Sequence, residues 1–417
     1  MDFKAKIVML LLFFCTGCQQ EVTDNSDVVV EIVADKNAAM LINECFLDLD
    51  TPTKYPKFRE VSKMVRNFSL GSNSFSKETA QLIDKAPNDY KNSNIYQQGL
   101  LEYTNLIWNK AEKSILKKQK EFQIMAKKHL NNEYFKRIYK FYGAKLPKNY
   151  HLKIYLMPVL GSDKFATPIG DNKIFITSMD HDVATHFGII AHECCHVAYH
   201  KKNKDKMEKF FKNHKSGIGS IVFNVIDEGL ATAIGNRVFK ISIDGVDSEE
   251  AYAFPHINNF SKKLKYLAKE YLDKGKEMDE EFWGKAIKLF AIENPEAKNN
   301  LDILMHTTTV FTDKPDSSYK NLLNLAWASR FLMQSIDIKA LDTIVKERET
   351  LDPYIYIISN NAKCADSVEG KDYLHVKKLS DGKITIVVKT DDMEKIRVAF
   401  KYLKDNPIVK KTFTVRL

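Results

Sequence analysis

The sequence predicts an α+β protein, predominantly helical, that closes with a small β-β-β-α-β domain. Three observations predict this. Apolar residues recur at helical spacing through 95–142 and again over much of 184–348. Strict alternation appears mid-chain in only two short runs, 151–158 (HLKIYLMP) and 173–178 (KIFITS). Beyond residue 352 the pattern turns to short strand-like runs around one helical stretch.

The chain opens MDFKAKIVMLLLFFCTGC. Lys4 and Lys6 make a basic start, and the apolar run from Ile7 ends at Cys15. A membrane-spanning helix needs ~20 apolar residues, so this run has the length of a secretory signal's core. Thr16 and Gly17 are small, and Cys18 follows them. The stretch resembles a bacterial lipoprotein signal. That resemblance implies a signal peptide over 1–17 and a lipid on Cys18, which becomes the mature N-terminus. Cys15 departs from the family, which usually has Leu there. A plain cleaved signal or a buried N-terminal helix is the alternative. Gln19 stands where an Asp would signal inner-membrane retention, so the resemblance implies the outer membrane, facing either side. Residues 18–40 are expected to be a tether, polar and acidic apart from Val28-Val29-Val30.

Composition is that of an ordinary globular chain: 44% hydrophobic and 28% charged over 417 residues. The formal charge is +9, and loss of 1–17 removes Lys4, Lys6 and Asp2 to leave +8. An exported basic chain meets anionic lipid or envelope polymers first, so nucleic acid is excluded as the expected partner. The length suits two or three domains. The six cysteines follow neither a zinc-ribbon spacing nor a dense disulfide pattern. A Cys45–Cys364 bridge stays open.

Residues 41–145 read as a helical N-terminal region, whose run KKQKEFQIMAKKH is a solvated face. Residues 146–350 hold the two strands and then helical patterns at 184–200, 216–239, 249–272, 279–292, 318–335 and 338–348. Gly170-Asp171-Asn172 marks a turn before the second strand. In the tail domain, 352–417, strands are expected at 354–359, 373–379, 383–389 and 412–417. A turn at Ser380-Asp381-Gly382 joins the middle pair, and a helix over 391–404 carries Asp391 and Glu394 as a capping pair.

The chemistry concentrates in His192-Glu193-Cys194-Cys195-His196. On a helix, His192 and His196 lie one turn apart on one face, ~5–6 Å between Cβ atoms. Both imidazoles can then reach one tetrahedral Zn²⁺. Glu193 lies beside that face, within reach of a water on the ion. Cys194 and Cys195 point away, into packing. His200 is too far along the axis to share the ion, and His181, His186 and His200 read as ordinary polar residues. The third ligand is sought in Asp227-Glu228-Gly229-Leu230-Ala231, with Glu228 favoured and Asp227 the alternative. Two His, one Glu and an open fourth position suit a catalytic zinc rather than a structural one.

HECCH followed by DEGLA resembles the gluzincin branch of zinc metallopeptidases, the thermolysin-like architecture, over roughly 150–260. The resemblance implies a zincin-like core with His192, His196 and Glu228 as zinc ligands and Glu193 as general base. It implies that the strand at 173–178 is the edge on which extended peptide substrate pairs. It places a Tyr or His beyond the third ligand as oxyanion donor, for which Tyr252 and His256 are both candidates. Two departures stand out. The insert KKNKDKMEKFFKNHKSG lengthens the gap between motifs, and Thr232 occupies a position where the family often has an Asp that orients a ligand imidazole. Asp227 is expected to serve instead. The expected protein is therefore a membrane-anchored zinc metallopeptidase of the cell envelope acting on proteins or peptides. The competing reading is a zincin-fold lipoprotein that acts as a binding or assembly module. Glu193 separates the two, since a binding relic has little use for a general base.

Overall fold

The computed structural model describes residues 27–46, 85, 88–158, 166–177, 182–304, 309–313, 332–333, 353–406 and 412–417, apart from 203, 216, 253, 365 and 381. The Cys18 anchor, the Cys45 side chain and the helix expected at 338–348 lie outside these residues.

The described residues include part of the expected tether. Val29–Val33 forms strand β1, followed by helix α1 (Lys36–Phe46). β1 runs parallel to β2 (His151–Met157), with Val30 opposite Leu152 and Ile32 opposite Ile154. The tether reading therefore fails from residue 29 onward. The valine run is a strand because its partner, more than a hundred residues away, supplies the ladder.

Helix α2 (Asn94–Tyr103) continues through a π-helical turn, π1 (Thr104–Trp108), into α3 (Asn109–His129) and α4 (Asn132–Tyr142). Gly143 closes α4 at φ 65°, a left-handed cap. The outward edge of β1 is closed by side chains of α3. Ile32 N donates to Gln123 Oε1 at 3.0 Å, Gln119 Nε2 donates to Ile32 O at 2.8 Å, and Gln123 Nε2 donates to Val30 O at 3.0 Å. The glutamines act in place of a further strand.

Two more strands complete this sheet, β3 (Ala166–Ile169) and β4 (Lys173–Thr177), in the order β1-β2-β4-β3. β4 is parallel to β2 and antiparallel to β3. This corrects the expected substrate edge: the strand at 173–177 lies inside the sheet, all five residues buried, and β3 is the edge. The Gly170-Asp171-Asn172 turn is the turn of a β3–β4 hairpin. Pro168 hid the first arm, since Pro weakens a strand pattern, yet it is tolerated on an edge where no ladder N–H is needed.

Helix α5 (Val183–His200) begins at the N-cap Asp182, whose side chain accepts from Thr185 N at 2.8 Å. The insert folds as α6 (Asp205–Lys212). Next comes a long apolar run: α7 (Ile218–Ala231), the π-helical segment π2 (Thr232–Phe239) and α8 (Lys240–Asp244). Among the described residues this is the one helical run apolar and long enough to cross a membrane, but 72% of the qualifying stretch is buried inside the protein, as befits a core helix. α9 (Pro255–Asp273) starts later than the sequence pattern suggests, with Pro at its first turn. α10 (Glu280–Glu293) and a short α11 (Leu301–Leu304) follow.

The tail shows its expected order of strand, strand, strand, helix, strand: β7 (Tyr354–Ile358), β8 (Tyr373–Lys378), β9 (Ile384–Lys389), α12 (Met393–Asp405) and β10 (Phe413–Arg416). Asp392 rather than Asp391 caps α12, accepting from Glu394 N. The sheet does not stop at residue 352. β5 (Thr309–Thr312) and β6 (Leu332–Met333) extend it to six strands, β10-β8-β9-β7-β5-β6. Leu332–Met333 thus corrects the end of the helix expected over 318–335. The protein is a mixed α and β structure with two mixed sheets; among the described residues the larger hydrophobic cluster runs from Ile32 to Leu403, and a smaller one holds Phe311, Tyr356, Ile358, Tyr373 and Val387.

Candidate metal centre

Helix α5 is buried on nearly every side, from Ala184 to Tyr199. This placement fixes His192 and His196 in the interior, each under a tenth exposed. Their rings lie edge to face, 4.7 Å between centroids, and their Nε2 atoms are 3.0 Å apart. Glu228, on α7, reaches both. Its Oε2 is 3.4 Å from His192 Nε2, and its Oε1 is 3.4 Å from His196 Nε2.

Those separations test the fit to an ion. Ligand atoms at 2.0–2.1 Å from a tetrahedral zinc sit about 3.3 Å from one another. The three contacts here are 3.0, 3.4 and 3.4 Å. The donor chemistry agrees. His196 Nδ1 donates to Asp227 Oδ1 at 2.9 Å, so in its neutral form the ring keeps its hydrogen on Nδ1 and offers a lone pair at Nε2. Glu228 Oε2 is buried without a hydrogen-bond partner among the described residues. One ligand-type atom from each of the three side chains thus faces the other two, an arrangement that a cation would satisfy. His192, His196 and Glu228 form the one such group of three or more residues found among the described residues.

Electrostatics follow from the same contacts. Burial pushes Glu228 up, but His196 and His192 outweigh it and hold the carboxylate well below its usual range. Burial pushes His196 down, and Asp227 and Glu228 overcome this to raise it. Glu193 is 7% exposed, and burial raises its carboxyl against the opposing pull of His192 and His196. Glu228 keeps 29% of its side chain exposed, so the group opens to solvent on that side.

Asp227 is hydrogen-bonded to His196 Nδ1 and lies outside the group of three, in which its neighbour Glu228 is the carboxylate. Thr232 is fully buried. His200 Nε2 stands 4.0 Å from Asp227 Oδ2, and burial with Lys204 nearby takes its pKa down to about 4. His186 is buried with Nδ1 3.0 Å from Asp182 O, and its ring meets the edge of Phe122. His181 lies outside the described residues. Cys194 and Cys195 are buried thiols, and burial pushes Cys195 up to about 12, which leaves both inert.

Tyr252 stacks beside His192, 6.1 Å between centroids and 12° between planes. His256 sits in the first turn of α9, further along a row of rings: Tyr252 meets Phe254 at 5.4 Å, and Phe254 meets His256 at 6.1 Å. The sequence reading missed Gly235. A Cβ there would meet backbone atoms of His192 and Ala191, so only glycine lets π2 approach α5 this closely. The available signal was a glycine inside an apolar helical run.

Residues 61–290 match the model of a family described as "Putative zinc dependent peptidase (DUF5700)". The match covers more than half of the chain, and the chain belongs to this family. It includes His192, Glu193, His196, Asp227 and Glu228. No curated protein and no solved structure matches the chain.

Proposed function

We propose that this protein is a membrane-anchored zinc metallopeptidase with a gluzincin-type site, hydrolysing peptide bonds in extracytoplasmic proteins or peptides. The observation that carries the proposal is the convergence of His192, His196 and Glu228 at tetrahedral spacing, with Glu193 buried one residue after His192. Zinc held by these residues would supply an acidified water and a polarised carbonyl.

The chain's own residues do the rest. Asp227 holds His196 in the tautomer that presents Nε2. Glu193 takes a proton from the attacking water and passes it to the leaving amine nitrogen as the C–N bond breaks. Burial moves its carboxyl upward, the direction that favours taking up and passing on a proton. Tyr252 donates its O–H to the oxygen of the scissile carbonyl as charge develops there. Extended substrate pairs along the outer edge of β3, so backbone hydrogen bonds supply affinity. Export and a lipid on Cys18 place the site in the cell envelope, a reading supported by the basic start, the apolar run and the small residues before Cys18.

Zinc content and casein hydrolysis of wild type and Glu193→Gln test this. The wild type should hold one zinc and cleave, and the variant should keep the zinc and lose cleavage. A wild type without zinc, or a variant as active as wild type, removes the reading. Zinc binding with no hydrolysis in either protein transfers support to a binding or assembly module.

A further inference from the structure

We infer that Asn236, Arg237 and Asn258 form a side-chain clamp that positions Tyr252 beside His192. The catalytic meaning of that clamp rests on the role proposed above for Tyr252.

Tyr252 lies on the connection between α8 and α9, whose described residues belong to no helix or strand. A loop of this kind needs partners for its backbone groups. Here side chains of the neighbouring helices supply them. Ala251, immediately before Tyr252, is held at both polar groups. Its N–H donates to Asn258 Oδ1 at 3.0 Å, and its carbonyl accepts from Asn236 Nδ2 at 2.9 Å. Asn258 Nδ2 also donates to Glu249 O at 3.0 Å. Arg237 Nη1 donates to Ser248 O at 2.5 Å and to Asp247 Oδ1 at 3.0 Å.

Arg237 is fully buried. Its remaining donors go to Ser261 Oγ at 3.0 Å and Asn258 Oδ1 at 2.7 Å. A guanidinium taken wholly out of water is costly unless its hydrogen bonds are met. This one is spent on orienting Asn258 and pinning the loop. Asn258 is thereby fixed in the flip that offers Oδ1 to Ala251 and Nδ2 to Glu249.

The clamp also has a fixed relation to the metal ligands. Asn236 follows Gly235, whose backbone abuts His192. One turn of π2 therefore touches the backbone of a proposed ligand and, through the next residue, the carbonyl that precedes Tyr252. Loosening Asn236 frees Tyr252 while leaving His192, His196 and Glu228 in place. Asn236 is thus a positioning residue, acting through Tyr252.

A double-mutant cycle on peptide hydrolysis tests this, with Asn236→Ala, Tyr252→Phe and the pair, alongside zinc content and hydrogen exchange of 247–252. Loss of an oxyanion donor costs about 100-fold in kcat, which is the expectation for Tyr252→Phe. Misplacing that donor should cost Asn236→Ala about tenfold in kcat with KM within about twofold. The pair should fall no further than Tyr252→Phe alone, because one residue acts through the other. Exchange at 247–252 should rise in Asn236→Ala while zinc content and exchange in α5 stay at wild-type values. Losses that multiply in the pair, or wild-type kcat and exchange in Asn236→Ala, overturn the proposal. Wild-type kcat in Tyr252→Phe removes the donor role alone, and the exchange result then decides the clamp: faster exchange upholds it and unchanged exchange overturns it. Should Asn236→Ala fail to fold, Asn258→Asp loses the donor to Glu249, keeps the acceptor for Arg237 and Ala251, and is expected to give the same pattern.

Discussion

A Cβ added to Gly235 would lie 2.2 Å from the amide nitrogen of His192 and 2.5 Å from its Cα. The segment after Glu228 thus meets the helix of the two histidines backbone to backbone. No flexible side chain stands between them to yield. Gly235→Ala must push the two segments apart and is expected to destabilise the protein by about 1–3 kcal/mol, the usual cost of overpacking. The same displacement should weaken zinc binding. Urea unfolding and a zinc titration check both, and a variant with wild-type values in each would show that this contact does not set the site.

Asp227 accepts from the nitrogen of His196 that faces away from Glu228. Removing such a partner lowers metal affinity by about 10–100-fold in known sites. Asp227→Ala is expected to fall in that range, with Asp227→Asn closer to wild type because an amide oxygen still accepts. Competition against a chelator of known affinity measures it. Equal affinities in all three proteins would strip Asp227 of any orienting role.

The start of α5 gives a pH prediction. The amide of Thr185 holds the Asp182 carboxyl below its ordinary value, opposed by partial burial. A depressed carboxylate contributes stability that is present above its unfolded pKa, about 3.9, and is lost as pH falls through the folded value. The wild type should therefore shed this contribution in the range below about pH 4. Asp182→Asn still caps the helix but does not titrate, so it should lack that part of the acid loss. Asp182→Ala should cost about 1 kcal/mol at neutral pH, as lost N-caps do. Unfolding curves from pH 3 to 7 compare the three, and superimposable acid limbs for wild type and Asp182→Asn would refute the assignment.

The N-terminal reading has its own test. Cys18→Ser should leave export intact and abolish labelling by a radioactive fatty acid, with the protein moving from the membrane fraction to the soluble one. A variant that stays in the membrane fraction would mean that something other than Cys18 holds it there.

The candidate metal-binding residues were legible because their signal is local. His192 and His196 share a helix face by spacing alone, Glu193 sits beside them by adjacency, and the apolar run around them marks a buried helix. Glu228 was legible as a residue type in a helical context, as was Asp227 next to it. Sheet membership was not. β1 hid in a segment that looks like a tether, and β3 hid behind Pro168. β5 and β6 are too short to carry a pattern. β1, β5 and β6 become strands through partners distant in sequence, which no local propensity reports, whereas β3 pairs with its hairpin neighbour β4.

The amino-acid sequence by itself thus determined which side chains are suited to bind a cation and which could move a proton. Tertiary structure decided whether they meet. Glu228 comes to 3.4 Å from both imidazoles, and the ring of Tyr252 stacks beside His192. Spacing along one helix is set by its pitch, whereas the approach of two helices is set by what lies between them, and here that is Gly235, which has no side chain.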